Sequence, residues 1–315
     1  MSGLRRAVTV PLVVAVELAL LSCSPLLLAA AMLVGLALRS TRPVRTVALV
    51  CAYAAIELLA LRRLLSTVDD VNEFVRDMLG IIYQALRRIL DVRVVLEHGS
   101  ATTAQVSGRA LVVLSRHCGP GDTLFVAWLL AVHYRLRLRI VLKTLLRAEP
   151  ALDLLGDKLP LCFIGARGKR SRDRIHATAA DLTGGDALLL FPEGGNFSRP
   201  RWAAAVLKLA ATGKYLASLR ARRRTHTLPP RTGGAHAALT GAPAADVLLL
   251  AHTGFTDDGR DRPWWRLPVQ RDLVVRTSLV PAAEVPREAD ALAGWLDSAW
   301  TRVDSWVAGH AQDAD

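Results

Sequence analysis

The chain has 315 residues, enough for one sizeable core plus additional elements. It is 52% hydrophobic with a mean hydropathy of +0.29, high for a soluble domain, and its net charge of +12 favours anionic partners. None of the four cysteines forms a C-x-x-C pair, so neither a disulfide framework nor a zinc site is indicated, and no helix-turn-helix, zinc-finger or RNA-binding signature accompanies the positive charge.

The apolar runs concentrate before Arg62, which turns the expectation from nucleic acid toward membrane lipid. Residues 7–38 are almost uninterruptedly apolar, with Glu17 and a Ser22-Cys23-Ser24-Pro25 break inside. A bilayer span needs roughly 20 apolar residues, so this run is long enough. Residues 44–61, with Glu57, are marginal. The lack of a small-residue cleavage site followed by a polar start argues for an anchor over a signal peptide. Arginines flank the runs on both sides and do not decide an orientation. A hairpin lying in the interface would place Glu17 and Glu57 more easily than two spans. Two buried helices of a soluble bundle are the blander alternative.

Residues 63–90 carry Phe74, Met78, Ile81, Ile82, Leu86 and Ile89 near helical spacing. A strand is expected over 92–96, a polar loop or hairpin over 99–109, and a short buried strand over Leu111–Leu114. That strand delivers His117 into a turn made by Gly119, Pro120 and Gly121, and Asp122 sits at the N-cap of the next apolar helix. Strands follow at 138–142, 161–164 and 187–191, with a helix over 172–182. A long helix is expected over 202–222, strands over 247–251 and 273–279, and an amphipathic helix over 287–308. The alternation predicts an α/β fold with a mostly parallel sheet. It divides the chain into a membrane-anchoring helical segment, 1–65, and a catalytic domain, 66–315.

The turn after the first buried strand carries chemistry. A carboxylate five residues from a histidine, across a tight turn, can accept a hydrogen bond from one ring nitrogen and leave the other free as a general base. The same stretch also fits an ordinary turn whose Asp only caps a helix. A second strand end, Phe191-Pro192-Glu193-Gly194-Gly195-Asn196-Phe197-Ser198, selects between them. HCGPGD at 117–122 and FPEGGNFS at 191–198 resemble the H-x4-D and F-P-E-G-T motifs of the PlsC-like glycerolipid acyltransferases. Phe163-Ile164-Gly165-Ala166-Arg167 resembles the second block of that family, and Asp246–His252 its fourth. Leu228-Pro229-Pro230-Arg231-Thr232-Gly233 resembles the L-x-P-R-T-x-G segment of the branch with lysocardiolipin and lysophosphatidic acid acyltransferases. The ordered set covers about residue 90 to the C-terminus. The chain departs from the family in having Gly195 and Asn196 where Thr and then Arg are usual.

The resemblance implies a PlsC-like acyltransferase fold and transfer of a fatty acyl group from acyl-CoA or acyl carrier protein to a lysophospholipid hydroxyl, 1-acylglycerol-3-phosphate above all. His117 and Asp122 would be the catalytic pair. Glu193, Gly194, Arg167, Arg231 and Lys143 would bind substrate, Glu193 through an acceptor hydroxyl and the arginines through phosphate. In the blander reading Glu193 caps a turn and Arg167 is one more solvated residue of the basic run 167–174. No cofactor or metal is implied beyond the thioester co-substrate. The expected partners are membrane lipids, the lysolipid and the acyl donor. Backbone N–H groups in the turns after His117 or Glu193 are the candidate oxyanion donors. The absence of G-x-S-x-G counts against a serine esterase. A glycolipid or other polyol acceptor, or a lipid-binding protein without turnover, are the alternatives. Arg220 and Arg222–Arg224 form a basic cluster suited to headgroups or coenzyme A phosphates, and Trp264 and Trp265 are candidate interfacial anchors. The strong bias to Arg, Ala and Leu reads as bacterial, hence an inner membrane with the catalytic domain facing the cytoplasm.

Overall fold

The fold is described from a computed structural model, which describes residues 2–119, 121–165, 168–253 and 269–312. Arg167, Trp264 and Trp265 lie outside the described residues. Contacts divide the chain into two compact units, the first made of the described residues of 1–93, 142–165 and 264–271, the second of the remainder. The expected boundary at residue 65 therefore coincides with no unit boundary.

In the first unit, α1 (Ser2–Ser22) and α2 (Ser24–Ala37) replace the single apolar run expected from the sequence. Pro25 stands in the first turn of α2, and the two axes meet at 57°. Proline lacks the N–H to continue a ladder but suits a helix start, which accounts for a break at this point. Next, α3 (Arg42–Leu65) has a most apolar window of mean hydropathy 1.9 with only 22% of it buried. Among the described residues it is the one single helix long and apolar enough to cross a membrane, although its sequence run was the marginal one. The helix expected over 63–90 is cut at residues 66–70. It restarts as α4 (Val71–Leu90), where Asp70 accepts the N–H groups of Asn72 and Glu73 at 2.8 and 3.2 Å.

Glu17 and Glu57 are both buried within this unit. Glu57 accepts the Ala151 N–H at 3.2 Å, at the start of α7 (Pro150–Leu155). Arg5 and Arg6 converge on the buried Asp153 of α7 at 2.6 and 2.8 Å, and so tie α1 to the short helix. The unit also contains β4 (Cys162–Ile164).

The second unit is built on a sheet whose strands run in the order β1-β7-β6-β2-β5-β3. These are β1 (Val92–Leu96), β2 (Leu111–Ser115), β3 (Arg137–Lys143), β5 (Asp186–Leu190), β6 (Asp246–His252) and β7 (Arg271–Val280). Neighbours β6, β2, β5 and β3 are parallel, while β7 is antiparallel to β6. Every residue of β2 and β5 is buried, as expected of central parallel strands covered on both faces. The helices are α5 (Thr103–Val106), α6 (Asp122–Trp128), α8 (Lys169–Ala180), α9 (Arg199–Ala211), α10 (Tyr215–Arg223), α11 (Thr232–Gly241) and α12 (Ala289–Gln312). They depart from expectation in three places. A capping box of Thr102 and Gln105 makes α5 out of an expected loop. Gly213, at φ +75°, splits the expected long helix into α9 and α10, because only glycine takes this conformation freely. The glycine- and alanine-rich α11 gave no periodic signal.

The amphipathic C-terminal helix forms as expected and buries Leu292, Leu296, Trp300, Val303 and Val307. It also holds a loop. The buried Asp304 accepts the His226 N–H at 2.8 Å, the Thr225 N–H at 3.2 Å and the Thr227 hydroxyl at 3.0 Å. Asp304→Ala leaves these donors without their acceptor and is expected to cost about 2–4 kcal/mol. A clear fall in the melting temperature of the purified protein checks this; an unchanged one removes the tether.

Candidate active site

The site follows from strand register. Leu114 of β2 lies opposite Leu190 of β5 and Leu249 of β6, all parallel. His117, Glu193 and His252 each lie three residues further along, so three distant segments of chain arrive together at the carboxyl edge of the sheet. This is the edge where open α/β sheets build sites, because the loops there leave in a common direction.

His117 and Asp122 form the expected pair. The Nδ1 atom lies 3.0 and 2.9 Å from the two carboxylate oxygens. Asp122 is fully buried, while the His117 side chain keeps 19% of its surface exposed. Asp122 is the first residue of α6, not its N-cap; Gly121 holds that place with φ +91°. The carboxylate instead folds back and accepts the N–H groups of Cys118 at 2.8 Å and Gly119 at 3.1 Å. Burial pushes the Asp122 carboxyl upward. The hydrogen bond and charge of His117, the nearby His252 and the Gly119 N–H outweigh it and hold the group below the ordinary carboxylate range. An ionised Asp122 fixes Nδ1–H as the donor and leaves Nε2 as the free base. The His117 ring rests on Phe191 at 4.4 Å, so β5 supplies an apolar wall as well as the Glu193 turn.

Glu193 differs from the expected hydroxyl-binding carboxylate. It is completely buried, one oxygen accepting the His117 N–H at 3.0 Å and the other the Leu228 N–H at 2.8 Å. Burial pushes its pKa up to about 7, against the two N–H groups and the positive charge of Arg116, which pull it down. Both oxygens thus hold backbone, and the residue fixes the start of the His117 turn. Arg116, which the sequence reading passed over, is also buried. It donates to the carbonyl oxygens of His252 at 2.5 Å and His226 at 3.1 Å. Its only sequence signal was a charge directly after an apolar strand.

Gly194 and Arg231 are explained by one another. Gly194 has φ +69°, and a Cβ there would fall 2.5 Å from the Arg231 guanidinium. The exposed Arg231 is fixed at its backbone, where its N–H donates to the Pro192 carbonyl at 2.9 Å. Arg201, missed in the sequence, reaches the Asn196 carbonyl at 3.1 Å from the other side of the same turn. Cations from α9 and from the segment before α11 therefore flank the turn where the sequence itself carries Gly195 and Asn196. Lys143 is exposed at the end of β3 and belongs to the first unit.

The N–H groups expected to stabilise an oxyanion are largely committed. Those of Cys118 and Gly119 go to Asp122, and that of Gly194 goes to the Phe191 carbonyl at 2.9 Å. In the Glu193 turn the N–H groups of Gly195 and Asn196 remain open among the described residues. The Cys118 sulfur, the Asp122 carboxylate and a His252 ring nitrogen lie within 4.8 Å of one another and could converge on a metal ion. Their hydrogen bonds fit a satisfied core cluster better: His252 Nε2 donates to the Arg116 carbonyl at 2.9 Å, and Nδ1 faces the Cys118 thiol at 3.7 Å.

Comparisons with known proteins agree with this geometry. The family model described as Acyltransferase matches residues 94–250. No functionally curated protein matches the sequence. The crystal structure of the 1-acyl-sn-glycerophosphate (LPA) acyltransferase PlsC from Thermotoga maritima superposes with a TM-score of 0.51 at 14% identity, covering 82% of this chain and 88% of that one. The structural match shows that the chain shares the fold of that enzyme; residues 94–250 contain the His117 and Glu193 turns and the strands that bring them together, and on the family match the chain belongs to the Acyltransferase family and is an acyltransferase enzyme.

Proposed function

We propose that the protein transfers a fatty acyl group from acyl-CoA or acyl carrier protein to the free hydroxyl of a lysophospholipid, 1-acylglycerol-3-phosphate being the favoured acceptor. The observation that carries this reading is the His117–Asp122 pair, with Nδ1 held by a buried carboxylate and Nε2 without a partner among the described residues, on a side chain that keeps 19% of its surface exposed. Nε2 takes the proton of the acceptor hydroxyl as that oxygen attacks the thioester carbonyl. The tetrahedral adduct then expels the thiolate, which receives the same proton from His117. A new ester bond forms, the C–S bond breaks, and no acyl-enzyme is required. Asp122 stabilises the transient imidazolium. General base catalysis of this kind contributes about 10²–10⁴-fold. Gly195 and Asn196 offer the open N–H groups for the developing oxyanion.

Arg231 and Arg201 support an acceptor with phosphate near its hydroxyl, since guanidinium groups grip phosphate with paired, charge-assisted bonds. Arg167 remains a further candidate. The helices α1–α3 suit an anchor in a bacterial inner membrane, with the catalytic residues on the cytoplasmic side. Leu4, Leu26, Leu33 and Leu36 each expose more than two thirds of their surface, as a lipid-facing helix would.

With labelled acyl-CoA and a panel of lysolipids, the parent protein should release free thiol and form diacyl product. His117→Ala and Asp122→Asn should each lower kcat by about 10²-fold or more with expression unchanged. Near-normal turnover in His117→Ala overturns the base assignment. Glu193→Gln should also lose most activity, since its amide nitrogen would face a backbone N–H with a second donor. Arg231→Ala should raise the acceptor KM about tenfold and leave the donor KM nearly unchanged. Equal use of a phosphate-free acceptor by the parent overturns the phosphate reading and favours a polyol or glycolipid acceptor. For the anchor, the full-length chain should sediment with membranes and need detergent for release; a freely soluble chain refutes it.

A further inference from the structure

The catalytic unit carries a second feature that acyl transfer does not use. Helices α9 and α10 form a hairpin about Gly213. Its inner side is satisfied: the Trp202 indole donates to the Ala221 carbonyl at 3.1 Å, and the Ser218 hydroxyl to that of Val206 at 3.0 Å. Its outer side is not. Leu207, Tyr215, Leu216 and Leu219 expose 64%, 68%, 71% and 54% of their surface. Single exposed apolar residues need no explanation, but a group of four on one hairpin does. Residues 215, 216 and 219 share one face of α10 by helical spacing.

Lys208, Lys214, Arg222 and Arg223 belong to the same hairpin, and all are exposed. Among the described residues none of the four pairs with a carboxylate. The charge is one-sided over a long stretch: no Asp or Glu occurs between Glu193 and Asp246. An apolar ridge with a tyrosine, flanked by long basic side chains, matches the two layers of a bilayer surface. The apolar groups enter the acyl boundary while Lys and Arg stems extend back to the phosphates.

We propose that the α9–α10 hairpin docks the catalytic unit onto an anionic lipid bilayer. Nucleic acid would meet the cations but gain nothing from Leu216 and Leu219. A second copy of the chain would bring the same positive patch against itself. The hairpin starts directly after the Glu193 turn, Ser198 capping α9 through the Arg201 N–H at 3.4 Å, so docking sets the membrane beside the rim of the site. The inference does not depend on α1–α3 being an anchor.

The test uses the full-length chain with Cys23→Ser and Cys51→Ser, Cys118 and Cys162 being buried. An environment-sensitive fluorophore is placed through Leu216→Cys or, as control, at the exposed Ser298 of α12 through Ser298→Cys. In proteoliposomes with roughly one-third phosphatidylglycerol, the label at 216 should shift to the blue. It should be quenched by spin-labelled acyl chains and show severalfold less quenching by aqueous iodide than the control. High salt, or Lys208→Glu with Arg222→Glu and Arg223→Glu, should reverse this shielding. Full iodide access at 216 in these vesicles overturns the proposal, as does shielding that the charge reversals leave intact. A blue shift that grows with protein concentration in micelles assigns the ridge to self-association and also overturns it. Flotation of the unlabelled chain reports on the anchor separately.

Discussion

A buried carboxylate with two backbone donors is the constraint on which the site depends. Glu193 joins the start of the His117 turn to Leu228, so one side chain fixes the ends of two segments more than a hundred residues apart. Burying an unpartnered carboxylate would be costly, and the strained balance shows in a pKa near 7. Two N–H groups and the charge of Arg116 offset the burial. Arg116 in turn holds carbonyl oxygens of His252 and His226, and Asp304 holds the backbone of 225–226. The polar groups behind the histidine thus form a linked set with few degrees of freedom. Such a set keeps the imidazole in position without help from substrate.

The sheet makes this set possible. Parallel strands in equal register end at the same level, so residues at equal offsets from their strands become neighbours. The apolar strands supply rigidity, and the chemistry sits on the short turns just beyond them. Asp122 belongs to the same logic: by accepting Cys118 and Gly119 N–H groups it shapes its own turn while it orients His117. The geometry of the turn and the orientation of the imidazole rest on the same carboxylate.

The two units distribute their side chains differently. The first spreads apolar side chains outward along α1 and α2 and buries Glu17, Glu57 and Asp153, with Asp153 held by two arginines and Glu57 on an amide. The second packs apolar side chains around its sheet, buries Arg116, Asp122, Glu193 and Asp304 among hydrogen-bond partners, and exposes apolar side chains along the α9–α10 hairpin.

The sequence alone specified the alternating strands and helices, the mostly parallel sheet, the His117–Asp122 pair and the Glu193 turn. Each of these depends on local periodicity or on a short motif, and local signals survive in one dimension. The helix break at Cys23 was legible in the Ser22–Pro25 interruption, whereas the one at Gly213 was written in a glycine that an alanine-rich run masked. Only the tertiary structure decided the roles. A glutamate in a turn reads the same whether it is exposed or buried; the meeting of β2, β5 and the Leu228 segment buries this one on two backbone N–H groups. Arg116 and Arg201 were two among many arginines until strand register and helix packing placed one behind the histidine and the other beside the Glu193 turn. Contacts between distant segments are set by how the strands align, and that alignment is a property of the packed sheet, not of any stretch of chain by itself.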